Sequence, residues 1–185
     1  MWVDRQQYPR RWLGKTGWRR WLAGGLLITA VVADAAPSAW MAVIKPDPVT
    51  RQSRCLLVSE TQNTSDGYDT TPVTLVFNGS RLLAVTESEI DPSFADLQLV
   101  IDKEPPFRSD KLAAKNMTLL FEQDVPDLVE KLRAGRQATL YVRFWPTWPA
   151  TQSFSVPFSL VGFSKAYDNL NRNCQSPAGA APSSN

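Results

Sequence analysis

The fold is decided by one stretch near the end of the sequence, Phe154-Ser-Val-Pro-Phe-Ser-Leu-Val-Gly-Phe-Ser-Lys-Ala-Tyr-Asp-Asn-Leu-Asn-Arg-Asn-Cys174. Its apolar residues first alternate, which predicts a strand, and then recur at helical spacing, which predicts a short amphipathic helix. The alternating residues are Phe154, Val156 and Phe158, and the helical ones are Phe163, Ala166, Tyr167 and Leu170. Cys174 falls on the same side of this helix as Phe163. We therefore expect the cysteine to point towards the body of the domain.

The sequence contains two cysteines, Cys55 near the start of the folded region and Cys174 near its end. In an exported protein, two cysteines predict one structural disulfide. A Cys55–Cys174 bridge would tie the C-terminal helix back to the domain. By closing a loop of more than a hundred residues, it would contribute on the order of 4 kcal/mol in a chain-entropy treatment. In a cytosolic protein, two buried free thiols would be expected instead.

The first 35 residues have the pattern of an export signal. A basic segment ending at Arg20 precedes an apolar run over 22–33, and Ala33-Asp34-Ala35 fits the small-x-small rule for cleavage. We predict that residues 1–35 are a signal peptide, which places the protein in the periplasm or cell envelope. The alternative is that residues 22–44 stay uncleaved and anchor the protein in the inner membrane, facing the periplasm. Asp34 opposes this alternative because an acidic side chain is costly at mid-membrane.

Length and charge fit one domain and argue against a nucleic-acid partner. The chain has 185 residues, of which 43% are hydrophobic, as expected for one ordinary domain with flanking segments. Removing the six basic and two acidic residues of the leader from totals of 20 and 18 leaves 14 basic and 16 acidic residues. The body is therefore slightly acidic and has no basic stripe of the kind that binds nucleic acid.

The remaining sequence predicts a mainly β fold. Alternating apolar residues predict strands at 54–60, 72–77, 81–87, 97–101, 117–121 and 138–144, before the strand and helix described above. Helical spacing predicts a first helix that starts near Val125 and ends at Gly135. We therefore expect an antiparallel β-sandwich over residues 40–174 with two short α-helices, the C-terminal one held by the disulfide.

The sequence predicts less about the segments that connect these strands and helices. Asn78-Gly79-Ser80 predicts a hairpin with a type I′ turn, because Asn-Gly readily supplies positive φ angles. Residues 40–49 are expected to form an extended lead-in segment, 61–71 a polar loop and 103–116 a long connection. The Ser/Pro/Ala/Gly-rich residues 175–185 are expected to be a disordered tail.

The absence of histidine from the whole sequence excludes several kinds of catalytic site. Neither a Ser-His-Asp triad nor a His-ligated metal site can be built, and no glycine-rich phosphate loop is present. We expect no cofactor. Paired carboxylates remain an alternative: Glu87, Glu89 and Asp91 would share one face if their strand continued, and Asp66 and Asp69 crowd a nearby loop. Such groups hydrolyse glycosides or bind calcium, but a solvated strand end explains them equally well.

Phe144-Trp-Pro-Thr-Trp-Pro149 is the best candidate for a binding site. Trp145 and Trp148 lie in a proline-stiffened loop, where they lose little entropy on binding and offer stacking area to a partner. We predict Phe144, Trp145 and Trp148 as contact residues. The alternative is that one or both tryptophan rings fold back over the edge of the sheet and extend the core.

The C-terminal part of the chain resembles the invasion-associated locus B family of exported bacterial proteins. The resemblance rests on Ile101-Asp102 followed by Pro106-Phe107, on the predicted helix that ends at Gly135, and on the closing segment 158–170. It implies a periplasmic or envelope-associated β-sandwich and supplies no catalytic residues. The chain departs from the family pattern between Lys111 and Phe121, where the family commonly has an additional cysteine pair.

Together these observations predict an exported, non-enzymatic accessory or binding protein. The expected partner is another envelope protein or a cell-surface component, and a membrane only if the N-terminal segment is retained. Two alternatives stay open at this stage. One is a membrane-tethered subunit of a larger envelope complex, and the other is a carbohydrate-active hydrolase that uses the paired carboxylates.

Overall fold

The computed structural model describes residues 38–146 and 152–173, which form eleven strands and two helices. The strands are β1 (Trp40–Pro46), β2 (Ser53–Ser59), β3 (Gln62–Ser65), β4 (Thr70–Phe77), β5 (Leu82–Thr86), β6 (Gln98–Ile101), β7 (Phe107–Arg108), β8 (Leu112–Ala113), β9 (Thr118–Phe121), β10 (Gln137–Val142) and β11 (Phe154–Ser159). The helices are α1 (Val125–Ala134) and α2 (Phe163–Asn173).

The strands form two antiparallel sheets. The larger has the order β1-β2-β4-β5-β9-β8, with β3 paired separately to β4, and the smaller has the order β11-β10-β6-β7. Each sheet contributes alternate side chains to one shared core, and both helices add their apolar sides to it. The predicted mainly β sandwich with two short helices is therefore confirmed.

The buried core contains the residues that the sequence pattern assigned to it. In β10, Ala138, Leu140 and Val142 are buried, while Thr139 and Tyr141 between them are partly exposed. The helices contribute the apolar residues at i, i+3, i+4 and i+7 spacing: Leu128, Val129 and Leu132 from α1, and Phe163, Ala166 and Leu170 from α2. A smaller second cluster lies on the opposite face of the larger sheet, formed by Leu56, Val76, Leu83 and Leu120.

Three predicted connections contain strands that the sequence pattern did not reveal. The predicted lead-in segment over 40–49 includes β1, which pairs with β2 along its whole length. The predicted polar loop over 61–71 includes β3, a short strand without apolar residues, and residues 103–116 include β7 and β8. A strand with no buried face has no hydrophobic alternation, so its pairing with β4 decides its structure.

The hairpin between β4 and β5 forms as predicted, but its turn is not type I′. A type I′ turn needs positive φ at both central residues, and in 78–81 only Gly79 has one, at 91°. The side chain of Asn78 organises the turn instead. Its Oδ1 accepts hydrogen bonds from the backbone N–H groups of Ser80 and Arg81, both at 3.1 Å.

The first strand and the last helix meet at Trp40. Its ring is buried and packs edge-on against Phe163 at the start of α2, with 4.9 Å between ring centroids and 88° between ring planes. The indole Nε1 donates a hydrogen bond to the backbone oxygen of Ser159 at 2.8 Å. Trp40 therefore joins β1 to β11 and α2.

The cysteine prediction is only partly within the described residues. Cys55 lies in β2, two residues before the buried Leu57, so both side chains are on the core face of the strand. Helix α2 packs against β1 and β2 and ends at Asn173, one residue before Cys174. Cys174 lies outside the described residues, and the disulfide stays a prediction that this geometry supports.

The predicted leader, residues 1–35, and the predicted tail, 175–185, also lie outside the described residues. Neither α1 nor α2, the helices of the described part, has the length and apolar character needed to cross a membrane.

Gly162, in the turn between β11 and α2, provides a test of how closely this turn packs against the residues before Trp40. Its φ is 87°, and a Cβ atom added there would lie 2.0 Å from Oγ of Ser38. Gly79 is a matched control, because its φ is 91° and an added Cβ would meet nothing within 4 Å. We expect Gly79→Ala to cost about 1 kcal/mol through backbone strain alone. Gly162→Ala should cost at least about 1 kcal/mol more, through the overpacked contact.

Urea unfolding of both variants would measure these losses. Adding Ser38→Gly to Gly162→Ala removes the two nearest clashing atoms, so it should recover part of the lost stability. Equal losses at the two glycines would contradict the close packing of this turn against Ser38.

The disulfide is tested by the mass and stability of the exported protein. Reduction should add about 2 Da and should lower the free energy of unfolding by on the order of 4 kcal/mol. The variant carrying Cys55→Ser and Cys174→Ser should have the stability of the reduced protein and should not respond to reductant. An unchanged mass in the wild type would contradict the bridge.

Candidate functional site

The predicted aromatic loop divides into a buried and an exposed part. Phe144 is 1% exposed and belongs to the core, whereas Trp145 is 59% exposed. Successive side chains of an extended chain point to opposite sides, so a buried Phe144 directs Arg143 and Trp145 to the outer side of the smaller sheet. Phe144 is therefore a core residue and not a contact residue, in agreement with the alternation over 138–144. Trp148 lies outside the described residues.

Backbone pairing fixes Trp145 to a second loop. Ile90 and Phe144 form an isolated antiparallel bridge. On either side of it, the Asp91 N–H donates to the oxygen of Arg143 at 2.8 Å, and the Trp145 N–H donates to the oxygen of Glu89 at 2.7 Å. The backbone of Trp145 is therefore held in place although its ring is largely exposed.

The second loop brings another aromatic ring to the same side. The ring centroid of Phe94 lies 4.2 Å from the guanidinium carbon of Arg143, a cation–π contact, and the ring is 44% exposed. Arg143 itself is buried and donates from Nη2 to the Asp96 carboxylate at 2.6 Å. Arg143 thus positions the Phe94 ring from below, and Asp96 holds the guanidinium.

We call Phe94, Arg143 and Trp145 the aromatic surface. The outer face of the smaller sheet continues from it through Tyr141, which is partly exposed and lies opposite Gln98 of β6 and Ser155 of β11. Beside Phe94 is a groove of about 430 Å³ whose lining includes Arg108 and Lys111. Sequence reasoning found Trp145 but missed Phe94, because only the pairing of the two loops brings that ring to Arg143.

A second groove, of about 780 Å³, lies between the two helices and the β4–β5 turn. Its lining is mostly apolar and includes Phe77, Val129 and Tyr167, with Glu130 and Arg133 as its charged residues. The Arg133 guanidinium lies 5.2 Å from the centre of the Tyr167 ring and is 3.1 Å from the Asp168 carboxylate. This volume falls in the range of small-molecule sites. Of the two charged residues that border it, Arg133 is already paired with Asp168.

The carboxylates proposed for hydrolysis lie in different environments. β5 ends at Thr86, so the strand does not continue through them as that interpretation required. Glu87 and Glu89 are exposed, and Glu89 accepts a hydrogen bond from the Asn116 side chain at 3.1 Å. Asp91 is buried, and its Oδ1 accepts the Ser93 N–H at 2.9 Å.

Asp66 organises its own loop. Its Oδ1 accepts the backbone N–H groups of Tyr68 at 3.0 Å and Asp69 at 2.8 Å, and its Oδ2 accepts the Ser88 hydroxyl at 2.6 Å. These hydrogen bonds, that from Ser88 first, hold the pKa of the Asp66 carboxyl below its ordinary value. Both carboxylate oxygens therefore already act as acceptors within the protein.

Acidic residues elsewhere in the structure do not gather either. Over 38–146 and 152–173, no group of three or more His, Cys, Asp or Glu side chains is arranged to hold a metal ion.

Comparisons with known proteins found one similar fold of interest. A scan against family models gave no match, and no curated protein matched. Among solved structures, the crystal structure of invasion associated protein B from Bartonella henselae is similar, with 16% sequence identity and a TM-score of 0.46. The similarity covers 72% of this chain and 92% of that one. A likeness at this level leaves membership of that family a prediction.

The role of Asp66 predicts how stability changes with pH. Because the folded protein holds its pKa below the ordinary 3.8, the ionised carboxylate stabilises the fold above that pH. The contribution is lost as the pH falls through the lower pKa of the folded state. We expect Asp66→Asn to cost about 1 kcal/mol at neutral pH, and this difference from wild type should shrink as the pH falls below 3.8 and through the lower pKa of the folded state.

Thermal unfolding of both proteins between pH 2.5 and 7 would measure it. Asp69→Asn is the control, because Asp69 takes part in the turn through its backbone N–H, which the substitution retains. A loss at Asp66 that stays constant over the whole pH range would contradict a role for the ionised carboxylate.

Proposed function

We propose that this chain is an exported, non-enzymatic binding protein of the cell envelope, and that it contacts a partner protein through the aromatic surface. The observation that carries the proposal is the exposure of Trp145, which is 59%, on a backbone fixed on both sides of the Ile90–Phe144 bridge. A large apolar ring held out in solvent by a rigid support has no stabilising role that requires its exposure.

The composition of the aromatic surface is that of a binding hot spot. Tryptophan is enriched among the few residues that supply most of the binding energy at interfaces. Phe94 adds a second exposed ring, held by its contact with Arg143. Because these groups are already ordered in the free protein, binding costs little conformational entropy.

The charges around the surface indicate the chemistry of the partner. Arg143 already has a carboxylate partner in Asp96, so the aromatic surface offers mainly rings and no unpaired buried charge. The neighbouring groove is lined by Arg108 and Lys111 but also by Asp110 and Glu122, and Lys111 is paired with Glu122, so its charges balance. A partner protein with an apolar patch and a rim of mixed charge fits this arrangement.

Export is supported by the leader and by the family resemblance of the sequence. The basic segment, the apolar run and Ala33-Asp34-Ala35 together form a signal-peptide pattern. The resemblance to the invasion-associated locus B family also implies an envelope location. The non-enzymatic part of the proposal is supported by the absence of histidine from the sequence and by the burial of Asp91, whereas Glu87 and Glu89 are exposed.

A photocrosslinking amino acid placed at position 94 would test the contact in the periplasm. We expect an adduct with one envelope protein, and Trp145→Ala in the same chain should reduce its yield at least about tenfold, as expected for a hot-spot residue. The melting temperature should change by less than about 2 °C, because surface substitutions usually change stability by within about 0.5 kcal/mol.

Tyr68 provides the matched control, as an aromatic residue that is 58% exposed on another loop. Tyr68→Ala should leave the adduct at position 94 unchanged. An adduct that persists in Trp145→Ala would contradict the proposed contact. A large fall in melting temperature on Trp145→Ala would show instead that this ring stabilises the fold.

A further inference from the structure

The first strand of the larger sheet has one paired edge and one open edge. β1 pairs with β2 on one side, and no strand among the described residues lies on its other side. Beyond the two ends of this pairing, the Glu60 N–H donates to the oxygen of Ala39 at 2.7 Å, and the Asp47 N–H donates to the oxygen of Gln52 at 2.9 Å.

These two hydrogen bonds fix the direction of every backbone group in β1. In an antiparallel pair, the residues that bond to the neighbouring strand alternate with residues whose N–H and C=O groups point away from it. Given the pairing register of β1 with β2, the bonded residues are the odd-numbered ones. The N–H and C=O groups of the even-numbered residues of β1 therefore point to the open edge.

This open edge is limited at both ends. At one end, the Ser38 hydroxyl donates to the oxygen of Trp40 at 2.7 Å and accepts its N–H at 3.4 Å. At the other end, Pro46 has no N–H to offer. Only Ala42 and Ile44 retain both edge groups, which gives two donors and two acceptors, and the C=O of Pro46 is a further acceptor at the end of the edge.

The side chains along this edge are apolar and exposed. Ile44 is 78% exposed and Met41 is 60% exposed, the two largest values among the exposed large hydrophobic residues of the described structure. Val43, between them in the strand, packs against the apolar cluster on the outer face of the larger sheet. An exposed apolar strand with open backbone groups is a template for the addition of another strand.

We propose that this edge binds the same edge of a second copy of the chain, in an antiparallel pairing related by a two-fold axis at Val43. In this register, Ala42 lies opposite Ile44 of the second copy and Ile44 lies opposite its Ala42. The N–H and C=O groups of Ala42 and Ile44 in the two copies then form four hydrogen bonds, and the C=O of Pro46 lies beyond them at the end of the paired edge. The large Ile44 side chain meets the small Ala42, and Val43 meets its own counterpart.

The charges of the strand agree with self-pairing. Lys45 is the one charged residue of β1, and in this register it lies opposite Met41. The two lysines are then four positions apart along the paired strands, about 13 Å at the usual rise per residue, which is beyond the Debye length of about 8 Å at physiological salt. A five-residue strand edge is much smaller than a standard interface of about 1,600 Å². We therefore expect a weak dimer that depends on protein concentration.

Cysteine crosslinking of the mature protein tests the register directly. In the proposed dimer, the two Val43 residues form a non-hydrogen-bonded pair with Cα atoms about 4.5 Å apart, within the range that a disulfide can bridge. Val43→Cys should therefore give a disulfide-linked dimer under mild oxidation. Lys45→Cys is the matched control on the same strand face, and its crosslinking should be at least about tenfold slower because the two positions are too far apart to bridge.

Two proline variants test the direction of the backbone groups. Ala42→Pro removes only an edge N–H, so the fold should persist while sedimentation equilibrium shows the dimer dissociation constant to rise at least about tenfold. Val43→Pro should instead lower the melting temperature, because it removes a hydrogen bond to β2. Ile44→Lys should weaken the dimer without changing the melting temperature, which covers the case in which a proline variant fails to fold.

The outcomes separate the alternatives. A wild-type protein that stays monomeric at millimolar concentration overturns the proposal, as does equal crosslinking at positions 43 and 45. A dimer that is unaffected by Ala42→Pro and by Ile44→Lys forms through another surface and also overturns it. If the protein stays monomeric and a crosslinking group placed at position 44 captures a different protein, the edge binds a strand of that protein and self-pairing is overturned. None of these results depends on Trp145, so the proposed function is tested separately.

Discussion

The structure depends on the burial of Trp40 between the first and last elements of the chain. The ring meets Phe163 edge-on, and its Nε1 reaches the oxygen of Ser159. Because β1 belongs to the larger sheet and β11 to the smaller one, this one side chain connects the two sheets and the helix that follows them. A ring of this size contributes several kcal/mol when buried. Gly162 allows the turn before α2 to lie against Ser38, two residues before Trp40, because a Cβ atom at position 162 would collide with the Ser38 side chain.

The sequence predicted the elements whose side chains enter the core, because burial imposes a period that can be read along the chain. Ala138, Leu140 and Val142 alternate, the core residues of α1 and α2 recur at helical spacing, and both patterns are confirmed. β3 carries no such signal, since its four residues are polar and its structure depends on pairing with β4. For β1 the sequence predicts only a lead-in segment, because two prolines follow its apolar residues. In the structure the strand extends to the first of them, Pro46.

The candidate site was less predictable for a related reason. Alternation along β10 already placed Phe144 on the buried side, and this rule proved more informative than the aromatic content of the loop. Trp145 could be identified because a large ring next to a buried residue points the other way. Phe94 could not, since its position depends on a bridge between residues more than fifty positions apart.

The two proposed contact surfaces differ in what determines their choice of partner. At the aromatic surface, selectivity would come from side chains, and a different sequence on the same backbone would recognise a different partner. At the edge of β1, the hydrogen-bonding groups belong to the backbone, and any extended chain can pair with them. Selectivity must therefore come from the length of the open edge. The Ser38 hydroxyl and the missing N–H of Pro46 restrict it to two residues. An edge so restricted is too short to support open-ended sheet growth, and the edge groups of Ala42 and Ile44 match those of Ile44 and Ala42 in a second copy.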